Sequence, residues 1–95
     1  MKVRLTRPAR EDILNIIQKL AVTDQDHSIA TAEQLSRAIL ATSTMSRRFP
    51  VIGWTGGTGI RKQMARPYVI LFDSRDREGL ILRIVHERSD WMSLV

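Results

Sequence analysis

Cysteine is absent from the sequence, which excludes a disulfide framework, a thiolate nucleophile, a CxxC redox pair and a zinc–thiolate site together. Histidine is nearly absent too. Only His27 and His86 occur, and with no HExxH-like spacing between them a metal centre has no nitrogen ligand pair to build on. Long hydrophobic runs are also missing: the longest strongly apolar stretch is Tyr68 to Phe72, far short of the roughly 20 residues that span a bilayer. Near the N-terminus Lys2, Arg4, Arg7, Arg10, Glu11 and Asp12 stand where a secretory signal would need an apolar core. A soluble, cytoplasmic protein with no membrane partner is therefore expected.

Negative charge is in deficit. Ten acidic residues face fifteen basic ones, for a net charge of +5, and twelve of the fifteen are arginine. The guanidinium fork suits carboxylates and phosphates, so an acidic protein surface or a nucleic acid is a natural partner; a solvated basic face that keeps a small protein soluble explains the same charge. With 95 residues the chain is expected to form one domain over 1–95. A chain of this size buries only about 60–65% of its unfolded surface, enough for one two-layer core and no separately walled cofactor cavity.

Residues 2–6, KVRLT, alternate polar and apolar and read as a short strand. Pro8 suits a first helical turn, and Ala9, Ile13, Ile16, Ile17 and Leu20 then recur on one face of a helix expected over about 8–21. The polar segment 23–28, TDQDHS, reads as a connection. A second helix begins after it, capped by Ser28 or by Thr31 with Gln34, and carries Ala32, Leu35, Ile39 and Thr42 on one face. Pro50 stops it near Arg48, with Arg47 and Arg48 favourably placed at its negative end. Joined by so short a link, the two helices should pack as an antiparallel hairpin.

Residues 50–59, PVIGWTGGTG, hold four glycines and a proline and read as a loop, with Trp54 folded back on the core or partly exposed. A phosphate-cradling role fails on residue type, because Ile60, Arg61 and Lys62 follow where a Walker loop needs Gly-Lys-Ser/Thr. Three strands are expected after it, at 60–64, 68–72 and 80–86, the last two separated by the turn DSRDREG. The middle strand is apolar on both faces, as a central strand should be, and strict alternation in the last points Arg83 away from the face of Leu82 and Ile84.

This order, strand, helix, helix, strand, strand, strand, with the start VRLTRPAREDILNIIQKLA, the junction RRFPVIG, the strand PYVILFDSRD and the end ILRIVHERSDW, resembles the ParE branch of the ParE/RelE toxin superfamily over nearly the whole chain. Members place FPxxG after the second helix and close on a strand reading I-x-R-V-x-H-x-R-x-x-W. Phe49, Pro50 and Gly53 match the junction, and Ile81, Arg83, Val85, His86, Arg88 and Trp91 match or approach the closing strand. The helix link is longer and more polar than usual, TGGTG lengthens the following loop, and Gln63 stands where an apolar residue is usual.

The resemblance implies an α+β fold, a helical hairpin packed on a small, mostly antiparallel β-sheet. It implies the toxin of a type II toxin-antitoxin system, of the plasmid-stabilisation kind, neutralised by a cognate antitoxin and directed at DNA gyrase. No cofactor is implied. A homodimer and a toxin–antitoxin hetero-oligomer both fit. The alternative within the superfamily is a RelE-like ribosome-dependent endoribonuclease acting on mRNA; cutting by a 2′-hydroxyl would need a base and cations over the phosphorane charge, for which His86, Arg83, Arg61 and Lys62 are the candidates. A third alternative is a non-toxic, partner-binding member of the fold.

For target or antitoxin contact the candidates are Arg61, Arg83, Arg88 and Trp91. Arg83 and Trp91, and His86 among the nuclease candidates, also have a plain structural reading. A mid-strand guanidinium requires a counter-charge, and Glu87 or Asp90 would supply it to Arg83. Trp91 would plug the end of the sheet, and His86 would be a packed strand-end residue.

Overall fold

In the structure, a computed structural model that describes residues 3–44, 48–55, 58–75 and 78–94, the chain runs β1 (Val3–Leu5), α1 (Arg7–Thr23), α2 (Gln25–Thr44), β2 (Val51–Thr55), β3 (Thr58–Ala65), β4 (Tyr68–Arg75) and β5 (Glu78–His86), then a single 3₁₀ turn at Trp91–Leu94. The strands form one sheet in the order β1-β5-β4-β3-β2, parallel only between β1 and β5. The helical hairpin covers one face. No helix is long and apolar enough to cross a membrane among the described residues.

Local chemistry sets these boundaries. Thr6 caps α1, its hydroxyl accepting the Ala9 N–H at 3.2 Å, and Pro8 occupies the first turn. The same hydroxyl donates to the Leu82 carbonyl at 2.9 Å, which ties the start of α1 to β5.

The connection expected over 23–28 contracts to Asp24. Its N–H donates to the Leu20 carbonyl at 2.8 Å to end α1, while its Oδ1 accepts the His27 N–H at 3.1 Å to begin α2. Ser28 and Thr31 are therefore not caps. Both are buried inside α2, where Ser28 Oγ donates to the Ile17 carbonyl at 2.9 Å and pins the two helices together. α2 is described to Thr44, with Arg48 exposed beyond it; Arg47 and the side chain of Trp54 lie outside the described residues.

The segment 50–59 differs from the loop expected of it. Val51–Thr55 is an edge strand, paired antiparallel with β3 from Val51↔Arg61 to Thr55↔Thr58, with a register shift between Val51 and Gly53. Two β-favouring runs separated by Gly56-Gly57 have the spacing of a two-residue hairpin, and this pattern outweighs the loop signal of the four glycines. The sheet thus gains one strand over the expected set, and the hairpin-on-sheet architecture is otherwise as the sequence implies.

The helix-facing core gathers Ala9, Leu35, Ile39, Ile70, Phe72, Ile81 and Ile84, with Phe49 of the Phe-Pro junction edge-on to Phe72 at 5.6 Å. On the opposite face Ile60, Val69 and Leu71 pack with Ile52, Leu82, Val85 and Trp91. β4 therefore carries apolar side chains on both faces, as a central strand must.

Candidate functional site

β5 carries most of the residues that the sequence singles out, and its geometry departs from strict alternation. Leu71 pairs with Arg83 but Phe72 pairs with Ile81, leaving Leu82 as the extra residue of a β-bulge. Ile81 and Ile84 consequently both face the helices, whereas Leu82 and Val85 share the other face. The expected grouping of Leu82 with Ile84 fails for this reason.

Arg83 is not paired with Glu87 or Asp90. Its Nε and Nη2 donate to the Asp12 carboxylate of α1 at 2.7 and 3.1 Å, a two-pronged contact, and the Ile84 N–H donates to Asp12 Oδ2 at 2.9 Å. The bond to Asp12, more than the surrounding charge, holds the guanidinium pKa above its ordinary value. Asp12 thus fastens the outer edge of β5 where β1, which pairs only as far as Ile81, has ended. Glu87 lies instead 3.4 Å from the exposed Arg66, and the Asp90 carbonyl accepts Ser93 Oγ at 2.7 Å in the terminal turn.

The remaining candidates are dispersed. Arg61 donates through Nη1 to the Phe49 carbonyl at 2.7 Å, bracing the junction before β2. Lys62, the next residue and so on the opposite face of β3, holds its ammonium 5.5 Å from the Trp91 ring centre. His86 is exposed at the end of β5, its Nδ1 accepting the Arg88 N–H at 3.1 Å and its ring edge-on to Tyr68 at 5.9 Å; the ring proton then belongs on Nε2. Burial raises the Tyr68 hydroxyl pKa above its usual value. Arg88 is exposed. Arg61, Lys62, Arg83 and His86 do not converge on one point, and among the described residues no three metal-ligating side chains come together.

Between α1 and the end of β5 lies an open groove of about 500 Å³, bordered by Lys19, Tyr68 and His86 over a floor that includes Ile16, Leu20 and Ile84. Sequence reasoning passes over Asp12, Lys19 and Tyr68. The available signal for Asp12 is its position beside the Ala9–Ile13–Ile16 stripe: an acid there faces the sheet and needs a basic partner, which the mid-strand Arg83 provides.

A two-helix hairpin on a five-stranded mixed sheet, with its last strand clamped to the first helix, defines a small α+β domain. The family model for the ParE toxin of type II toxin-antitoxin system, parDE, matches residues 3–91, and the chain belongs to that family. Among solved structures it is similar to the chromosomal ParDE TA system from P. aeruginosa, with a TM-score of 0.74 and 19% identity over 90% of this chain and 95% of that one. At that identity the likeness concerns the fold. Among curated proteins no relative matches.

Proposed function

We propose that this ParE-family toxin works by binding rather than by cutting: it inhibits DNA gyrase in the cytoplasm and is neutralised by an antitoxin encoded beside it, as in a plasmid-stabilisation pair. The supporting observation is the dispersal of the groups a nuclease would have to assemble. Arg83 is committed to Asp12 and Arg61 to the Phe49 carbonyl, Lys62 sits over Trp91 on the other face, and His86 has Nδ1 occupied. Phosphorane stabilisation needs cations and a base aimed at one position, and this arrangement has no such convergence. The net charge of +5 supports the antitoxin part of the reading, since it favours an acidic, partly disordered partner that orders on binding.

The test is induction of the chain alone in cells, with and without the neighbouring small reading frame. A DNA-damage response that the neighbour suppresses is the expected result. Cleaved mRNA with intact gyrase activity would favour the RelE-like reading, and binding of the neighbour without any growth defect to suppress would favour a non-toxic member.

A further inference from the structure

α2 turns one face to solvent. Ile29, Ala32, Glu33, Ser36, Arg37 and Leu40 recur along it at the spacing that keeps residues on one side of a helix. Ala32 is half-buried and the other five are exposed, Ile29 at 52% and Leu40 at 63%. Ala32 and Ser36 are short, and with Glu33 and Arg37 they line an open hollow of about 420 Å³ midway between the two large apolar residues. Among the described residues neither Glu33 nor Arg37 has an ion-pair partner.

This face is complementary to itself. A second α2 laid antiparallel across a two-fold axis level with residues 34 and 35 sets Ile29 against Leu40 of the other copy and Glu33 against its Arg37, and the symmetry makes each pair twice. Ile29 and Leu40 lie about 16 Å apart along one line of the helix. Glu33 and Arg37 lie one turn apart on the same flank of that line, and an antiparallel two-fold brings like flanks side by side, so the acid of one copy meets the base of the other. Short side chains at the crossing let the axes approach closely.

Charge selects the occupant. Asp26, Glu33 and Arg37 are the only charged residues of α2, one net negative charge in a chain of +5, so two copies meet here without the repulsion that their basic surfaces impose elsewhere. An acidic partner would find two acids on this helix beside one base. We infer that the chain forms a homodimer through α2, with Ile29 and Leu40 packed reciprocally at the two ends of the contact and Glu33 paired with Arg37 twice near its centre. One helix on one helix buries about 1,200 Å² or less, the size of weak and transient interfaces, so the dimer is concentration-dependent. It depends on neither the gyrase nor the antitoxin reading.

The test is sedimentation equilibrium of the purified full chain across the micromolar range. Wild type is expected to pass from monomer to dimer. Arg37→Glu and Glu33→Arg each set like charges opposite one another and should weaken association about tenfold or more, whereas an equimolar mixture of the two variants should recover dimers, one copy carrying both acids and the other both bases. Leu40→Ser removes the apolar contact at both ends and should also weaken association about tenfold. Thermal melts control for folding. If a single charge variant does not fold, the double variant Glu33→Arg/Arg37→Glu decides instead, because it exchanges the pair and keeps the complementarity: dimers of wild-type affinity support the pairing, and a monomer overturns it. A monomeric wild type overturns the homodimer, and if the same variants then lose binding to the adjacent frame's product, the face belongs to the antitoxin. Wild-type association in all three single variants overturns the α2 face. Loss in both charge variants without recovery on mixing overturns the reciprocal pairing.

Discussion

Replacing Asp12 by alanine probes how the closing strand is held. The carboxylate accepts three hydrogen bonds, two from Arg83 and one from the Ile84 N–H. The Arg83 side chain is 37% exposed and that of Asp12 15%, so solvent screening limits the ion pair to about 0.5–1 kcal/mol. The bond to the Ile84 N–H is charge-assisted and contributes about 1–2 kcal/mol. Asp12→Ala is therefore expected to cost about 1.5–3 kcal/mol, a fall in Tm of about 6–20 °C for a domain this small. Arg83→Ala removes only the ion pair and should cost about 1 kcal/mol or less.

Asp12→Asn keeps an oxygen for Ile84 and should fall between the two. Urea unfolding followed by far-ultraviolet circular dichroism on both single variants and the double variant gives the coupling directly. In the Arg83→Ala background Asp12→Ala should still cost about 1 kcal/mol or more, through Ile84 alone. If it costs nothing there, the main-chain bond contributes no stability and the edge-clamp argument is wrong.

Three further outcomes are expected. Ser28→Ala removes the buried hydroxyl that bonds the Ile17 carbonyl, and should cost about 0.5–1 kcal/mol in urea unfolding after the gain in helix propensity is allowed for. The raised Tyr68 pKa means that the folded chain binds the phenolic proton more tightly than the unfolded chain. The resulting stability is full below about pH 10 and is lost as the pH rises through the folded value, so Tyr68→Phe should lose less stability than wild type as the pH is raised above about 10 in thermal melts. His86→Ala should leave growth inhibition largely intact; loss of toxicity with an unchanged circular dichroism spectrum would make His86 a functional residue and reopen the nuclease reading.

The elements with strong periodicity were legible in the sequence. Ala9, Ile13 and Ile16 on α1, Leu35 and Ile39 on α2 and the two-faced β4 all occupy the core positions their spacing implies. Three features were not, two of them because a local signal has two meanings and the third because it leaves no local signal. The glycines at 53, 56, 57 and 59 suit a loop, yet Gly56-Gly57 between β-favouring runs equally suits a hairpin. Ser28 and Thr31 are good capping residues, but Asp24 precedes them and caps first, leaving their hydroxyls to be buried between the helices and within α2. The bulge at Leu82 has no sequence mark, and period-two reasoning through it misassigns one face of β5. The partner of Arg83 was out of reach for another reason: Asp12 is distant in sequence, and only the packing of α1 across the edge of β5 brings the two together.

Whether this ParE-family chain acts on gyrase by binding is decided by adding the purified chain to a DNA supercoiling assay with purified gyrase, beside a translation reaction whose mRNA is mapped for cuts. Loss of supercoiling at stoichiometric toxin, restoration by the neighbouring frame's product, and intact mRNA are the expected results. Unaffected supercoiling together with ribosome-dependent mRNA cuts that disappear in His86→Ala would show a nuclease instead.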